Sequence, residues 1–367
     1  MTAAPDYPRA LLPEGVAARR VETATGLSMR LLEAGAGEDR PLALLLHGFP
    51  ELAFSWREVM PALAGMGFHV VAPDQRGYGG TEGPAGPGLC AAPDLVRDAM
   101  ALVHALGRGH VDLLVGHDFG SVVAAWAALI RPDVFRAVAL MSAPFGGPPG
   151  WDAPLPLGLG RLEAGLAALE RPRTHYQVYF SGRSADADMR WAPEGLAAFL
   201  HAYVHMKSGD WEGNRPEPLP DASPESFARL PTYYVMDRGA TMPESVRAAA
   251  PAGFAPWLPE TALAVYAETF GARGFQGGLD WYAAMTDPER LAALRLWAGR
   301  RIEVPACFVA GARDWGIRQK PGDLERMQTE ASADWRGTTL VEGAGHWVQQ
   351  EAPEAVIAAL GAFVRGL

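Results

Sequence analysis

Cysteine is nearly absent from this sequence, which holds only Cys90 and Cys307 in 367 residues. Two isolated thiols make neither a disulfide framework nor the paired spacing of a metal site, so a reducing, cytoplasmic setting is expected. Long apolar runs are missing too. No stretch approaches the ~18 uninterrupted apolar residues of a membrane span. Residues 1–12 include Asp6 and Arg9 and lack the apolar core of a signal peptide. Basic charge is scarce: 32 Lys and Arg stand against 42 Asp and Glu, for a net charge of -10. Without clustered cations the chain is a poor match for a phosphate backbone, and no nucleic-acid partner is expected. Apolar residues, by contrast, make up 49% and charged residues 20%, the balance of a folded globular chain. The length suffices for one large domain or two ordinary ones.

The first third alternates between strand and helix signals. Residues 42–46 and 69–72 are short continuous apolar runs, as in parallel strands covered on both faces. The first ends in His47-Gly48-Phe49-Pro50 and the second in Pro73-Asp74-Gln75-Arg76-Gly77-Tyr78-Gly79. Residues 95–106 have helical spacing, 111–115 read as a strand, 122–130 as an apolar helix stopped by Pro132, and 137–141 as a further strand. Such alternation predicts an α/β fold with a mostly parallel sheet. The pattern breaks at 145–160, where five Gly and four Pro in sixteen residues mark a connection. Residues 161–296 have helical periodicity, clearest at 196–206 and 261–270. They contain an irregular stretch at 207–231, rich in Pro and acids, that is expected to shape a substrate entrance. Alternation resumes with strands at 304–310 and 338–341 and a final helix at 353–364. The simplest division is an α/β core at 1–144 and 299–367, interrupted by a helical insertion at 145–298. No internal repeat or heptad array is present.

Gly116-His117-Asp118-Phe119-Gly120 sits between a predicted strand and a predicted helix. Small residues at both ends permit a tight turn that lifts the central side chain above the sheet. Most enzymes with this turn place Ser at its centre; here Asp118 stands there. A carboxylate is suited to attack an sp³ carbon and form an alkyl ester. Taken alone, the pentapeptide also fits an ordinary turn with a helix-capping Asp. Two later residues change the balance. Asp314 follows the 304–310 strand, and His346 follows the 338–341 strand, in the nucleophile–acid–base order of this kind of turn. Both lie at strand ends, at the carboxyl edge of the sheet where such folds hold their sites.

With these residues in place, the chain resembles the α/β-hydrolase-fold epoxide hydrolases, in the branch similar to soluble epoxide hydrolases. The resemblance runs from about Gly26 to Phe363. It is carried by His47-Gly48-Phe49-Pro50-Glu51 with Ser55-Trp56-Arg57, by Arg76-Gly77-Tyr78-Gly79, by Gly116-His117-Asp118 and by Gly345-His346-Trp347. The insertion then resembles that family's lid (cap domain), which carries two tyrosines. His175-Tyr176-Gln177-Val178-Tyr179-Phe180 matches the first element at Tyr176, with Tyr179 a close competitor. Gly277-Gly278-Leu279-Asp280-Trp281-Tyr282 matches the second at Tyr282.

The resemblance implies a small-molecule epoxide as substrate and no metal or organic cofactor. Asp118 would attack one epoxide carbon while Tyr176 and Tyr282 hydrogen-bond the ring oxygen. His346, held by Asp314, would then activate the water that hydrolyses the ester. The backbone N–H groups of Phe49 and Phe119 are the expected oxyanion donors. His47, Pro50, His117, Trp281 and Trp347 are expected to shape the site, with both histidines bonding loops in preference to acting as bases. Trp151, Trp315 and Trp347 are further candidates for pocket walls. Tyr179, Tyr203, Tyr233, Tyr234 and Tyr266 are expected to be half-buried with surface hydroxyls. Two other readings share the fold. A haloalkane or haloacid dehalogenase would use the same Asp nucleophile, but Phe119 offers neither an indole N–H nor an Arg beside it. A non-catalytic ligand receptor would tolerate loss of a triad member, whereas all three are present. The chain is expected to act as a monomer or homodimer.

Overall fold

The structure, a computed structural model, describes residues 2–152 and 159–367, so the middle of the Gly- and Pro-rich connection lies outside it. Eight strands form one sheet in the order β1-β2-β4-β3-β5-β6-β9-β10. They are β1 (Val16–Glu22), β2 (Ser28–Ala34), β3 (Leu42–Leu46), β4 (His69–Pro73), β5 (Leu113–His117), β6 (Val138–Met141), β9 (Ile302–Gly311) and β10 (Ser332–Val341). From β4 to β10 every neighbouring pair is parallel. Strands β3, β4, β5 and β6 are buried at every residue, the reason that they read as unbroken apolar runs and not as alternating ones.

The sheet departs from the expected alternation at its start, where β1 and β2 form an antiparallel hairpin and β2 pairs antiparallel with β4. Strand β1 is an edge, with five of its seven residues exposed, so Ala17-Ala18-Arg19-Arg20 gives no apolar signal. Strand β5 begins two residues later than expected; Val111 makes only an isolated bridge, to Phe135.

The insertion enters after β6 and returns to the sheet at β9. It is mainly helical, with Leu196–Lys207, Glu260–Arg273 and Gln276–Thr286 as its longer helices, but it is not purely so. A two-stranded antiparallel ribbon, β7 (Arg173–His175) with β8 (Val235–Asp237), crosses it. Strands of three residues are too short to show a period of two. Insertion and core meet backbone to backbone at Gly77 and Gly277, where a Cβ on Gly277 would lie 1.9 Å from the Gly77 carbonyl oxygen. Both cysteines are buried, and burial pushes both thiols up to about 12. Among the described residues no helix is long and apolar enough to cross a membrane.

Candidate active site

The sheet brings four loops to one edge. Strand β3 ends at Leu46, paired with Gly116 of β5, and β10 ends at Val341, paired with Gly311 of β9. The loops that follow hold His47–Glu51, Asp118, Asp314 and His346. Asp118 sits between β5 and the helix Phe119–Ile130 with φ 53 and ψ -119. A left-handed φ costs a non-glycine residue ~1–3 kcal/mol and needs support from its surroundings. That support is close packing: a Cβ on Gly116 would fall 2.1 Å from Gly120 O, and one on Gly120 would fall 2.2 Å from Leu46 O.

The three expected triad members meet. His346 Nδ1 lies 3.0 Å from Asp314 Oδ2, and Asp314 Oδ1 accepts the Gly316 N–H at 2.6 Å. His346 Nε2 lies 3.2 Å from Asp118 Oδ2 but out of line for a hydrogen bond. The Phe49 N–H donates to Asp118 Oδ1 at 2.9 Å. The Phe119 N–H heads its helix and so has no intrahelical acceptor. Burial disfavours the His346 imidazolium, yet the Asp314 and Asp118 carboxylates outweigh it and the opposing Lys207 charge, and raise the group to about 9. For Asp118, burial favours the neutral acid, but the His346 contact and the Lys207 charge hold it well below the usual carboxylate range.

Tyr176 and Tyr282 line one cavity with Asp118, Phe119 and Gln319. Their rings are 5.8 Å apart. Tyr176 donates to Gln319 Oε1 at 3.2 Å and accepts from Gln177 Nε2 at 3.3 Å. Burial, with the Asp118 charge adding, keeps both phenols protonated far above neutral pH. Tyr179 turns away and donates to Asp188 at 3.0 Å. The Phe49 and Phe119 rings stand edge-on to Tyr282 at 5.4 and 5.2 Å, and the Phe49–Pro50 peptide is cis.

The two other histidines bond loops. His47 Nε2 accepts the Gln75 N–H at 3.1 Å, so its Nδ1 carries the proton and donates to Gly48 O at 2.9 Å. His117 bridges Glu51 Oε2 at 2.6 Å and the His346 carbonyl at 2.7 Å. Trp281 donates its indole N–H to Arg76 O, and Trp347 donates to Val204 O.

Two expectations fail. Trp151 is 70% exposed and walls no site. Tyr203, Tyr233, Tyr234 and Tyr266 are buried, not at the surface. Three of them box a residue that the sequence does not single out: Lys207 Nζ lies 5.2–5.8 Å from the rings of Tyr203, Tyr233, Tyr234 and Trp347. Lys207 is buried, which lowers its pKa, while the charges of Asp118, Asp314 and Glu51 oppose that shift. Among the described residues no group of His, Cys, Asp or Glu could hold a metal ion.

Residues 41–208 match the family model described as the alpha/beta hydrolase fold. Epoxide hydrolase A of Mycobacterium tuberculosis is 35% identical over 359 residues, spanning 96% of this chain and 99% of that protein. The chain belongs to the epoxide hydrolases of the alpha/beta hydrolase fold. Among solved structures of epoxide hydrolases, one from an endophytic Streptomyces superposes with a TM-score of 0.79 at 31% identity, covering 96% of each chain. Epoxide hydrolase A of Mycobacterium thermoresistibile gives 0.78 at 34% identity, covering 96% of this chain and 99% of that one.

Proposed function

We propose that this epoxide hydrolase works through a covalent ester on Asp118. The observation that carries the reading is the division of labour between the two Asp118 oxygens. Oδ1 is held by the Phe49 N–H, the place of a carbonyl oxygen that becomes an oxyanion. Oδ2 remains to attack the epoxide carbon, beside His346. Tyr176 and Tyr282, both protonated, donate to the ring oxygen as its C–O bond breaks.

The proton balance closes without exchange with solvent. Below about 9 the resting His346 holds a proton that Asp118 and Asp314 together stabilise. Esterification removes the Asp118 charge; the two tyrosines hold the alkoxide, and once the ester has formed His346, no longer stabilised by that charge, gives the alkoxide a proton. The neutral imidazole, oriented by Asp314, then takes a proton from water, and the hydroxide attacks the ester carbonyl. The acyl C–O bond breaks, the departing alkoxide takes the proton of the added hydroxyl group, a vicinal diol leaves, and the Asp118 carboxylate again faces a protonated His346. A dehalogenase reading is less well supported: Phe119 lacks an indole donor, and the Trp281 N–H beside it is committed to Arg76 O.

Single-turnover hydrolysis of aryl epoxides in ¹⁸O-labelled water tests this. The label is expected in Asp118 before it accumulates in diol, and Asp118→Asn abolishes the ester. Labelled diol with unlabelled Asp118 would mean direct attack by water and would overturn the mechanism. Release of halide from alkyl halides with no epoxide turnover would favour the dehalogenase.

A further inference from the structure

The stretch 207–231 looks, by sequence, like the lip of a substrate entrance. Its first residues are bonded to both catalytic loops. The His346 N–H donates to Lys207 O at 2.9 Å. Arg313, next to Asp314, turns its guanidinium to the carbonyls of Gly209, Trp211 and Asn214. Asn214 is itself fixed, donating to Met206 O at 2.8 Å and Ser208 O at 2.6 Å and accepting from the Tyr233 hydroxyl at 2.9 Å.

Glu351 lies at the centre of this seam. Its Oε2 accepts the N–H of Gly209, in the lid, at 2.7 Å and the N–H of Gly345 at 2.8 Å. Its Oε1 accepts the N–H of Trp347 at 2.8 Å. Gly345 and Trp347 are the residues on either side of His346. The approach is close enough to exclude side chains: a Cβ on Gly345 would lie 2.3 Å from the Ser208 carbonyl carbon, and one on Gly209 would lie 1.9 Å from Gly343 O. The bond to Trp347 is local to a helix start. The bonds to Gly345 and Gly209 are not, and helix capping does not account for them. Burial raises the Glu351 carboxyl to about 7 against the pull of its three N–H donors.

We propose that Glu351 is a positioning residue for the ester-hydrolysis half of the reaction: it grips the peptide groups on both sides of His346 and ties them to the lid at Gly209. The inference rests on the Asp118 ester reading. The groups needed for ester formation are Asp118, Tyr176 and Tyr282, and none of them bonds to Glu351. Loosening the clasp therefore displaces the base and leaves the nucleophile and its tyrosine donors in place. A displacement of about 1 Å is enough to slow a positioned reaction about 100-fold.

The test uses Glu351→Gln, which fills the same volume, and Glu351→Ala, each in the full chain. Rapid quenching with intact-protein mass measures the ester, and chromatography measures the diol. Ester formation is expected within about threefold of wild type, while ester hydrolysis slows about 10- to 100-fold, so kcat falls and ester accumulates. The burst amplitude reports the folded fraction; if Glu351→Ala does not fold, Glu351→Gln decides. Both steps slowing together, or neither slowing, would overturn the proposal. A wild-type enzyme that turns over epoxide with no ester on Asp118 would instead remove the reading on which it rests.

Discussion

Asp314→Asn separates the two halves of the proposed reaction. His346 Nδ1 and Asp314 Oδ2 are 3.0 Å apart. With burial working against the imidazolium, the group still stands at about 9 against an ordinary 6.5. That difference is about 3 kcal/mol of net stabilisation of the protonated ring. In the ester state Asp118 carries no charge, so Asp314 is the one carboxylate in contact with the ring that opposes burial and the Lys207 cation. The amide removes that support just when the ring must accept a proton from water. The two carboxylates supply that figure together, and even about half of it, assigned to Asp314, corresponds to about tenfold in rate. An Asn can also present its NH₂ to Nδ1 and select the wrong tautomer, which carries the expected slowing of ester hydrolysis to about 1,000-fold or more. Ester formation depends on Asp118 and the tyrosines and should proceed near the wild-type rate. Mixing enzyme with a single equivalent of epoxide and following intact mass would then show an ester that persists. Steady-state turnover within tenfold of wild type, or loss of ester formation to the same degree as hydrolysis, would refute the role given to Asp314.

Three further outcomes follow from the geometry. Tyr176→Phe and Tyr282→Phe should each slow ester formation about 10- to 100-fold and the pair together far more, while Tyr179→Phe stays near wild type; pre-steady-state burst rates decide it. Lys207→Met removes a cation that lowers the His346 pKa; in the ester state, where Asp118 is uncharged, Asp314 and the His117–Glu51 pair remain around the ring, so the His346 pKa in that state should rise. Because hydrolysis needs the neutral ring, the rising limb of its pH–rate profile moves to higher pH, and an unmoved or acid-shifted limb contradicts this. Asp98→Ala strands Arg76, whose guanidinium makes a buried two-point contact with Asp98 at 2.6 and 2.7 Å. The loss should destabilise the fold by about 3–5 kcal/mol in urea titration, and a change under about 1 kcal/mol would mean that water reaches the pair.

Legibility in the sequence followed the reach of each signal. Strands β3, β4 and β6 and the helix Phe119–Ile130 are dense apolar segments, and local composition reveals them. Asp118, Asp314 and His346 could be found because each sits in a short Gly-rich turn directly after a strand. Strand β1 could not, since its exposed arginines hide it. Lys207 was invisible for a different reason. A lysine at a helix C-terminus ordinarily faces water and complements the helix dipole. Only the folded chain brings Trp347 and Tyr233 around it. The same holds for Glu351, whose partner Gly209 lies in another part of the chain.

The inert thiols of Cys90 and Cys307 have a practical corollary. A chain whose two sulfurs are both buried and both resist ionisation behaves toward maleimides as though it had none. A cysteine introduced at Trp191, which is 73% exposed on the lid, would then take a fluorophore at one address. A second, at Leu367, 55% exposed at the end of the core, would accept its partner dye. Energy transfer between the two would report in real time whether lid and core separate during turnover.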